Sequence, residues 1–360
     1  MRTRSRATRW LAVGLAAGVL AAGAGAAAAP RAAAPVVLQE SGSTLLYPLF
    51  NEWQAAFSRL HPGIRVTTAA TGSGTGINDA VSGLVQIGAS DAYMSDALVR
   101  LHPGVLNIAL AISSQLVQYN LPGLAKVHLR LSGPVLAGIY QGTIRYWDAP
   151  AIRRLNPGVR LPHRPIVPVH RQDGSGDTFL FTQYLSDSDP AWAKAVGYGT
   201  TVAWPALPTA EAAVGNSGVV EMLKDTPGSI GYVGISYMDE AVRAGLGYAA
   251  LENRAGAFVL PTPATIEAAV AASAAHIPAD ERASLIFGPG KDAYPILNLE
   301  YAIVNRQQPN ARVAAALREL LGWIVDPRGG NAPRFLNTVH FLPLPHAVEV
   351  LSIKQIDEIR

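Results

Sequence analysis

His170-Arg171-Gln172-Asp173-Gly174-Ser175-Gly176-Asp177-Thr178, running into Phe179-Leu180-Phe181-Thr182-Gln183-Tyr184-Leu185, is the stretch from which the fold is read. Before it, Pro165-Ile166-Val167-Pro168-Val169 is short, apolar and rich in β-branched residues, the pattern of a strand. After it, Phe179, Thr182 and Leu185 fall at helical spacing, and Asp177 or Thr178 is placed to cap the helix. Strand, glycine turn and helix in that order aim free backbone N–H groups and the positive end of a helix dipole at the space above the strand. That space suits an anion. Ser175 adds a hydroxyl, Gly176 permits close approach to the backbone, and Arg171 offers a planar charged fork. A plain strand-to-helix turn with a solvated Arg and Asp would use the same glycines, so the reading depends on the rest of the chain.

Two more loops of this kind lie nearer the N-terminus. Val36-Val37-Leu38-Gln39 reads as a strand and leads through Glu40-Ser41-Gly42-Ser43-Thr44 into an apolar stripe of Leu46, Leu49, Phe50, Trp53 and Phe57 at helical spacing. The stripe is core, whereas Ser43 and Thr44 stand where a helix start presents unpaired N–H groups. Arg65 to Ala70 reads as a second strand. It is followed by Thr71-Gly72-Ser73-Gly74-Thr75-Gly76 and a helix from Ile77 to Gly83. No Gly-Lys-Ser/Thr follows, which excludes a Walker loop. Leu84 to Asp91 reads as a third strand ending in a carboxylate. Three strand ends thus present Ser43/Thr44, Ser73 and Ser90/Asp91, and ligands of open α/β sheets bind beyond such ends.

Composition limits the alternatives. The chain has 360 residues, 49% hydrophobic and 15% charged, with no Cys. Arg2, Arg4, Arg6 and Arg9 precede an uninterrupted Ala, Gly, Val and Leu run from Leu11 to Ala29, the layout of a secretory leader with a cut near Ala29 to Ala34. An uncleaved anchor would look similar, but the Ala and Gly content makes this run weakly hydrophobic. Five of the 29 Lys and Arg sit at positions 2, 4, 6, 9 and 31; without them 24 bases face 26 acids, a net charge of −2. No basic patch for nucleic acid remains. Lack of Cys rules out disulfides and a lipidated N-terminal Cys, so the chain is expected to be exported without a lipid anchor. Beyond the leader, about 325 residues exceed one comfortable core, which favours two domains.

Further along, Val135 to Tyr140, Thr265 to Ala275 and Val313 to Ile324 read as helices. Ser229 to Gly234, Tyr294 to Val304 and Val339 to Pro343 read as strands, the last as a closing strand. The histidines at 61, 102, 128, 163, 170, 276, 340 and 346 form no H-E-x-x-H pattern, and no G-x-S-x-G elbow occurs. No nucleophile stands beside a base.

Gly42 to Pro48, Thr71 to Gly74, Ile87 to Asp91, Tyr140 to Ile144 with Trp147-Asp148, and Arg171 to Tyr184, in that order and spacing, resemble the extracytoplasmic phosphate-binding protein of an ABC phosphate importer, in its actinobacterial form. The resemblance spans Val36 to Pro345. It implies an α/β, two-lobed type II periplasmic binding protein fold (a Venus flytrap) with two hinge-crossing segments. Residues 1–34 would be the signal peptide, 36–120 with 297–360 lobe I, and 121–296 lobe II, hinged near Tyr119-Asn120 and Leu297-Asn298. Phosphate would be held by Ser43, Thr44, Leu45, Ser73, Asp91, Arg171, Ser175, Gly176 and Asp177, with Asp173 orienting Arg171. The resemblance further implies no enzyme activity, no cofactor and no metal, a monomer, and membrane permease subunits as partners. A secreted phosphatase or hydrolase working at the same oxyanion site is the alternative.

One departure alters the chemistry. The family position after the glycine is often Thr and here is Asp177, as also occurs in the actinobacterial form. An ionised Asp91 only accepts, so it requires a proton on the ligand; phosphate at neutral pH carries one and sulfate none. Against sulfate the carboxylate would make a desolvated repulsive contact, on the order of several kcal/mol. Asp177 would either accept a second proton from monobasic phosphate or cap the helix without touching ligand.

Overall fold

A computed structural model describes residues 34–360. The leader expected over 1–34 therefore lies outside the described residues, apart from Ala34. Nine strands form a mixed sheet: β1 (Val36–Gly42), β2 (Ile64–Thr67), β3 (Ile87–Ser90), β4 (Val105–Tyr119), β5 (Val167–Arg171), β6 (Glu211–Ala213), β7 (Ser229–Gly234), β8 (Gly247–Tyr248) and β9 (Leu297–Asn305). Across the sheet they run β2-β1-β3-β9-β4-β7-β5-β6, and β8 pairs with β4. The longer helices are α1 (Tyr47–Leu60), α2 (Ser73–Val81), α3 (Gly133–Tyr140), α4 (Gly176–Ser188), α5 (Gly215–Asp225), α6 (Pro263–Ser273), α7 (Ala311–Val325) and α8 (His346–Asp357).

The sheet has two parallel patches. In one, β1 pairs with β2 and β3; in the other, β5 pairs with β6 and β7. Between them β4 is antiparallel to both its neighbours. It pairs with β9 from Val105 to Ser114 and with β7 from Gln115 to Tyr119. All 15 residues of β4 are buried, as its nearly continuous apolar run up to Ile112 requires of a strand covered on both faces. Each parallel strand ends in a short loop and a helix, so α1, α2, α4 and α5 begin just past β1, β2, β5 and β6. The two patches run antiparallel to one another, and both end toward the stretch of β4 around Ser114 and Gln115, so the four helix N-termini point toward that junction.

Packing fixes these starts. On α1 the stripe of Leu49, Phe50, Trp53 and Phe57 is buried, each side chain contributing about 1.5–3 kcal/mol. The Trp53 indole N–H donates to the carbonyl of Gly330 at 2.8 Å, tying α1 to the segment after α7. Among the described residues no helix is long and apolar enough to cross a membrane.

Several elements differ from the sequence reading. The cap of α4 is Ser175, not Asp177 or Thr178: its backbone is extended and its Oγ accepts from the Thr178 N–H at 3.3 Å. The helix after β2 starts at Ser73 rather than Ile77, because the glycines of that loop enter the first turn. Strand β3 starts at Ile87, leaving Leu84 exposed, and β9 starts at Leu297. Tyr294, read as strand, instead donates its hydroxyl to the carbonyl of Gln115 at 2.7 Å. No closing strand forms over Val339 to Pro343. Asn337–Val339 is a 3-10 turn, His340 takes a left-handed φ of 60°, and only Leu342 makes an isolated bridge, to Ile112. Pro343 and Pro345 lack the N–H groups to extend it.

Candidate functional site

The nine candidate residues come from both parallel patches, and the structure brings their elements together. The loop before α1 supplies Ser43, Thr44 and Leu45; α2 begins with Ser73; β3 ends beside Asp91. From the other patch come Arg171 at the end of β5 and Ser175, Gly176 and Asp177 at the start of α4. Ser43, Ser73, Asp91, Arg171, Ser175 and Asp177 are all buried.

Asp91 is central to the first group. It accepts from the Ser43 hydroxyl in a short hydrogen bond at Oδ1 and from Ser73 Oγ at Oδ2 over 3.3 Å. Ser43 Oγ also accepts the Leu46 N–H at 2.9 Å, which locks its rotamer. Arg171 is central to the second. Its Nε donates to Asp173 Oδ1 at 2.7 Å, Nη2 makes a short contact with Asp173 Oδ2, and Nη1 donates to Asp177 Oδ2 at 2.9 Å. The pairing of Arg171 with Asp173 expected from sequence is thus present. Asp177 does not cap its helix. It points inward and also accepts from Asn216 at 2.7 Å and Gln115 at 3.0 Å.

Contacts between the groups are close. Gly74 N–H donates to the Gly174 carbonyl at 2.9 Å. A Cβ at Gly176 would overlap the carboxylate of Asp91 and the hydroxyl of Ser73, so only glycine permits this approach. At Gly72, where φ is +91°, a side chain would strike Asp173 and Gly174. Glycine is needed at both faces of the contact.

Four further residues adjoin the candidate residues but were absent from the sequence reading. Asn216, at the start of α5, donates to Thr44 Oγ1 at 2.9 Å as well as to Asp177. Its neighbour Gly215 donates its N–H to Asp173 at 3.2 Å. The signal was there: Val214-Gly215-Asn216-Ser217-Gly218 is a fourth glycine and hydroxyl loop leading into a helix. Gln115, in the middle of β4, and Glu300, on β9, carry no comparable local pattern.

Electrostatics in the site are unusual for an anion seat. Burial, then the neighbouring Asp177, push Asp91 up to about 7; hydrogen bonds from Ser43 and Glu300 and the charge of Arg171 oppose the rise. Burial also raises Asp177, against Arg171, Gln115 and Asn216. Burial is the largest single influence on Asp173 and would raise it, but the bond and charge of Arg171 with backbone N–H donors, Gly215 among them, together hold it below the usual carboxylate range. Burial works against the charge of Arg171, and its two acids more than restore it. The single cation is therefore already matched by Asp173 and Asp177. Anion attraction here must come from N–H and O–H donors and from the converging helix ends.

Comparisons with known proteins bear on the family and the fold. The PBP superfamily domain matches residues 29–328. The chain is 33% identical over 343 residues to the phosphate-binding protein PstS of Methanocaldococcus jannaschii, covering 90% of this chain and 87% of that one. It is 32% identical to PstS of Xylella fastidiosa (86% and 82%) and 30% identical to PstS 3 of Mycobacterium leprae (86% and 83%). Among solved structures, the phosphate-binding protein of Stenotrophomonas maltophilia superposes with a TM-score of 0.69 at 18% identity, covering 89% and 93%. An ABC-type phosphate transport receptor of Vibrio cholerae gives 0.56 at 15%, covering 86% and 100%. At these identities the structures speak for the fold alone.

Proposed function

This chain belongs to the PstS family of phosphate-binding proteins within the PBP superfamily, and from that premise we propose that it binds inorganic phosphate and delivers it to the membrane permease of an ABC importer. The observation that carries the reading is the meeting of four helix N-termini and Arg171 around two buried carboxylates, Asp91 and Asp177. Donors dominate and buried carboxylate acceptors stand among them, which suits an oxyanion that still carries a proton.

Phosphate would be held by the hydroxyls and N–H groups of Ser43, Thr44, Leu45 and Ser73, by Arg171, and by Ser175 and Gly176 at the start of α4. Asp91 would accept the ligand's proton, and Asp177 would hold the guanidinium and accept a second proton when monobasic phosphate binds. The lobes would be 36–120 with 297–360 and 121–296. The exchange of β9 for β7 along β4, between Ser114 and Gln115, supports a two-part division that β4 crosses a few residues before Asn120. Binding would draw the lobes together about hinge segments near Asn120 and Asn298, since contacts to both lobes exist only when closed. We take the protein to act by binding rather than catalysis, as an exported monomer without a lipid anchor.

Calorimetric titration of residues 35–360 with phosphate and with sulfate tests this reading. Phosphate should bind about 1:1 with sulfate far weaker, and aryl phosphates should not be hydrolysed. Equal affinity for both anions, or hydrolysis abolished by Ser73→Ala, would overturn it.

A further inference from the structure

Next to the Asp91 loop, joined to it through Asn298, lies a second buried acid. Glu300 sits on β9 at an irregularity in its register with β4 and is fully buried. Its Oε1 accepts from Ser113 Oγ at 2.5 Å and from Asn298 Nδ2 at 3.0 Å. Asn298 also donates to the backbone carbonyl of Asp91 at 3.1 Å, so the cluster is fastened to the binding loop. Glu300 Oε2, also buried, has no donor. Asn298 thus bonds both the Glu300 carboxyl and the Asp91 backbone, and the two buried acids act on each other's protonation.

Two ionised carboxylates in that position would leave a buried charged oxygen without a donor and facing a like charge. That arrangement is among the most unfavourable a protein interior can hold. A proton on Glu300 removes both faults, because Oε2 then becomes the donor that Asp91 accepts. The hydrogen count around Oε1 agrees. The single proton of Ser113 lies within reach of two acceptors, Asn298 Oδ1 at 2.7 Å and Glu300 Oε1, so a full negative charge on Oε1 would be poorly served.

We propose that Glu300 is held as a neutral carboxylic acid that donates to Asp91, and that it is a positioning residue for anion selectivity. By donating, it keeps Asp91 an ionised acceptor for the proton of the ligand. The idea rests on the phosphate-binding reading for its consequence, though the protonation itself can be observed without ligand. Among the described residues, the charged and titratable groups around Glu300 are Asp91 from the end of β3, with Asp177 and Arg171 beyond it, and the phenol of Tyr301 next along β9. The strand β4 faces it with neutral Ser113. Burial first, then Asp91, raise Glu300 well above the ordinary glutamate range, in keeping with the geometry.

Carbon-13 NMR of protein labelled at glutamate side-chain carboxyls, without ligand at pH 7, tests the protonation. One resonance at the position of a protonated acid should vanish in Glu300→Gln. Loss of a resonance at the ionised position instead would overturn the proposal. Should that variant not fold, the double variant E40Q/E281Q removes the other two buried glutamates, and any acid resonance that survives is that of Glu300; its absence is equally decisive against. The role in selectivity is read by titration. Glu300→Leu leaves Asp91 without its donor, so Asp91 should keep a proton at pH 7 and the phosphate-to-sulfate affinity ratio should drop about tenfold or more. Glu300→Gln, whose amide still donates, should retain most of the ratio; equal ratios in the two variants would refute the positioning role. Failure of the wild type to bind phosphate at all would count against the functional reading and leave the NMR result standing.

Discussion

Arg171 reaches Asp177 through Nη1 at 2.9 Å while Nε and Nη2 are both occupied by Asp173, so one guanidinium plane is clamped by two acids six and two residues further along. A clamp of this kind depends on the fork, not on charge alone. Arg171→Lys keeps the charge but leaves one of the two acids without its partner. Phosphate affinity should fall by about 1.5–3 kcal/mol, roughly 10- to 100-fold, in a calorimetric titration. A lysine variant that binds as tightly as wild type would show that the fork is dispensable.

Asp91 is the acceptor in an otherwise donor-rich set, so Asp91→Asn should bring sulfate closer to phosphate. Loss of one charge-assisted hydrogen bond corresponds to about 1.5–3 kcal/mol for phosphate, less if the amide rotates to accept. The same logic gives a pH dependence. Asp91 is pushed up to about 7, so below that value it gains a proton and can donate to sulfate. Wild-type discrimination should therefore be greater at pH 8 than at pH 6, and the Asn variant should show no such trend.

Gly176 faces Asp91 and Ser73 so closely that a methyl group has no room, although its backbone is that of an ordinary helix start. Gly176→Ala should therefore act as a wedge between the two groups of ligands while leaving α4 intact. Binding should weaken by more than tenfold with little change in circular dichroism, and small-angle scattering with phosphate should show less contraction than the wild type. Unaltered affinity would mean that this approach is not needed for binding.

Away from the site, Glu281 is fully buried and accepts from the Ala109 N–H at 3.1 Å, Ser352 Oγ at 2.7 Å and Gln355 Nε2 at 2.6 Å, joining β4 to α8. Burial, only partly offset by these donors, raises it from 4.5 to about 7. A carboxyl raised on folding contributes stability that is complete below its unfolded value and is lost as pH climbs through its folded one. The window is therefore about pH 4.5 to 7, and the full effect is on the order of 3 kcal/mol. Glu281→Gln should resemble the wild type near pH 4 and be the more stable protein at pH 8, as thermal or urea unfolding across that range would reveal.

Strand-turn-helix units carrying Ser43, Ser73 and Arg171 were legible because each is local: a β-branched run, a glycine turn and an apolar stripe within about 20 residues. The residues that complete the site were not. Gln115 and Glu300 lie inside buried strands, where nothing in the neighbouring sequence distinguishes a polar site residue from a tolerated one. They become neighbours of Asp177 and Asp91 only through pairings between residues far apart in the chain. The strand β4 was overlooked for a related reason, since an apolar run with no alternation does not announce its period. The false closing strand at Val339 to Pro343 shows the opposite failure. Its composition suits a strand, but the left-handed His340 and the prolines leave it a single bridge.

The position of β9 has a consequence for the order in which the protein assembles. It is inserted between β3 and β4, yet it starts 207 residues after the end of β3 and 178 after the end of β4. Until a growing chain has passed residue 297, β3 has no neighbour on one side and β4 lacks its partner from Val105 to Ser114. Early synthesis therefore yields strands with open edges, and closing such a long loop is slow. A chain halted at residue 296 should be cut by protease as readily as an unfolded one, so the protein becomes resistant late and nearly all at once.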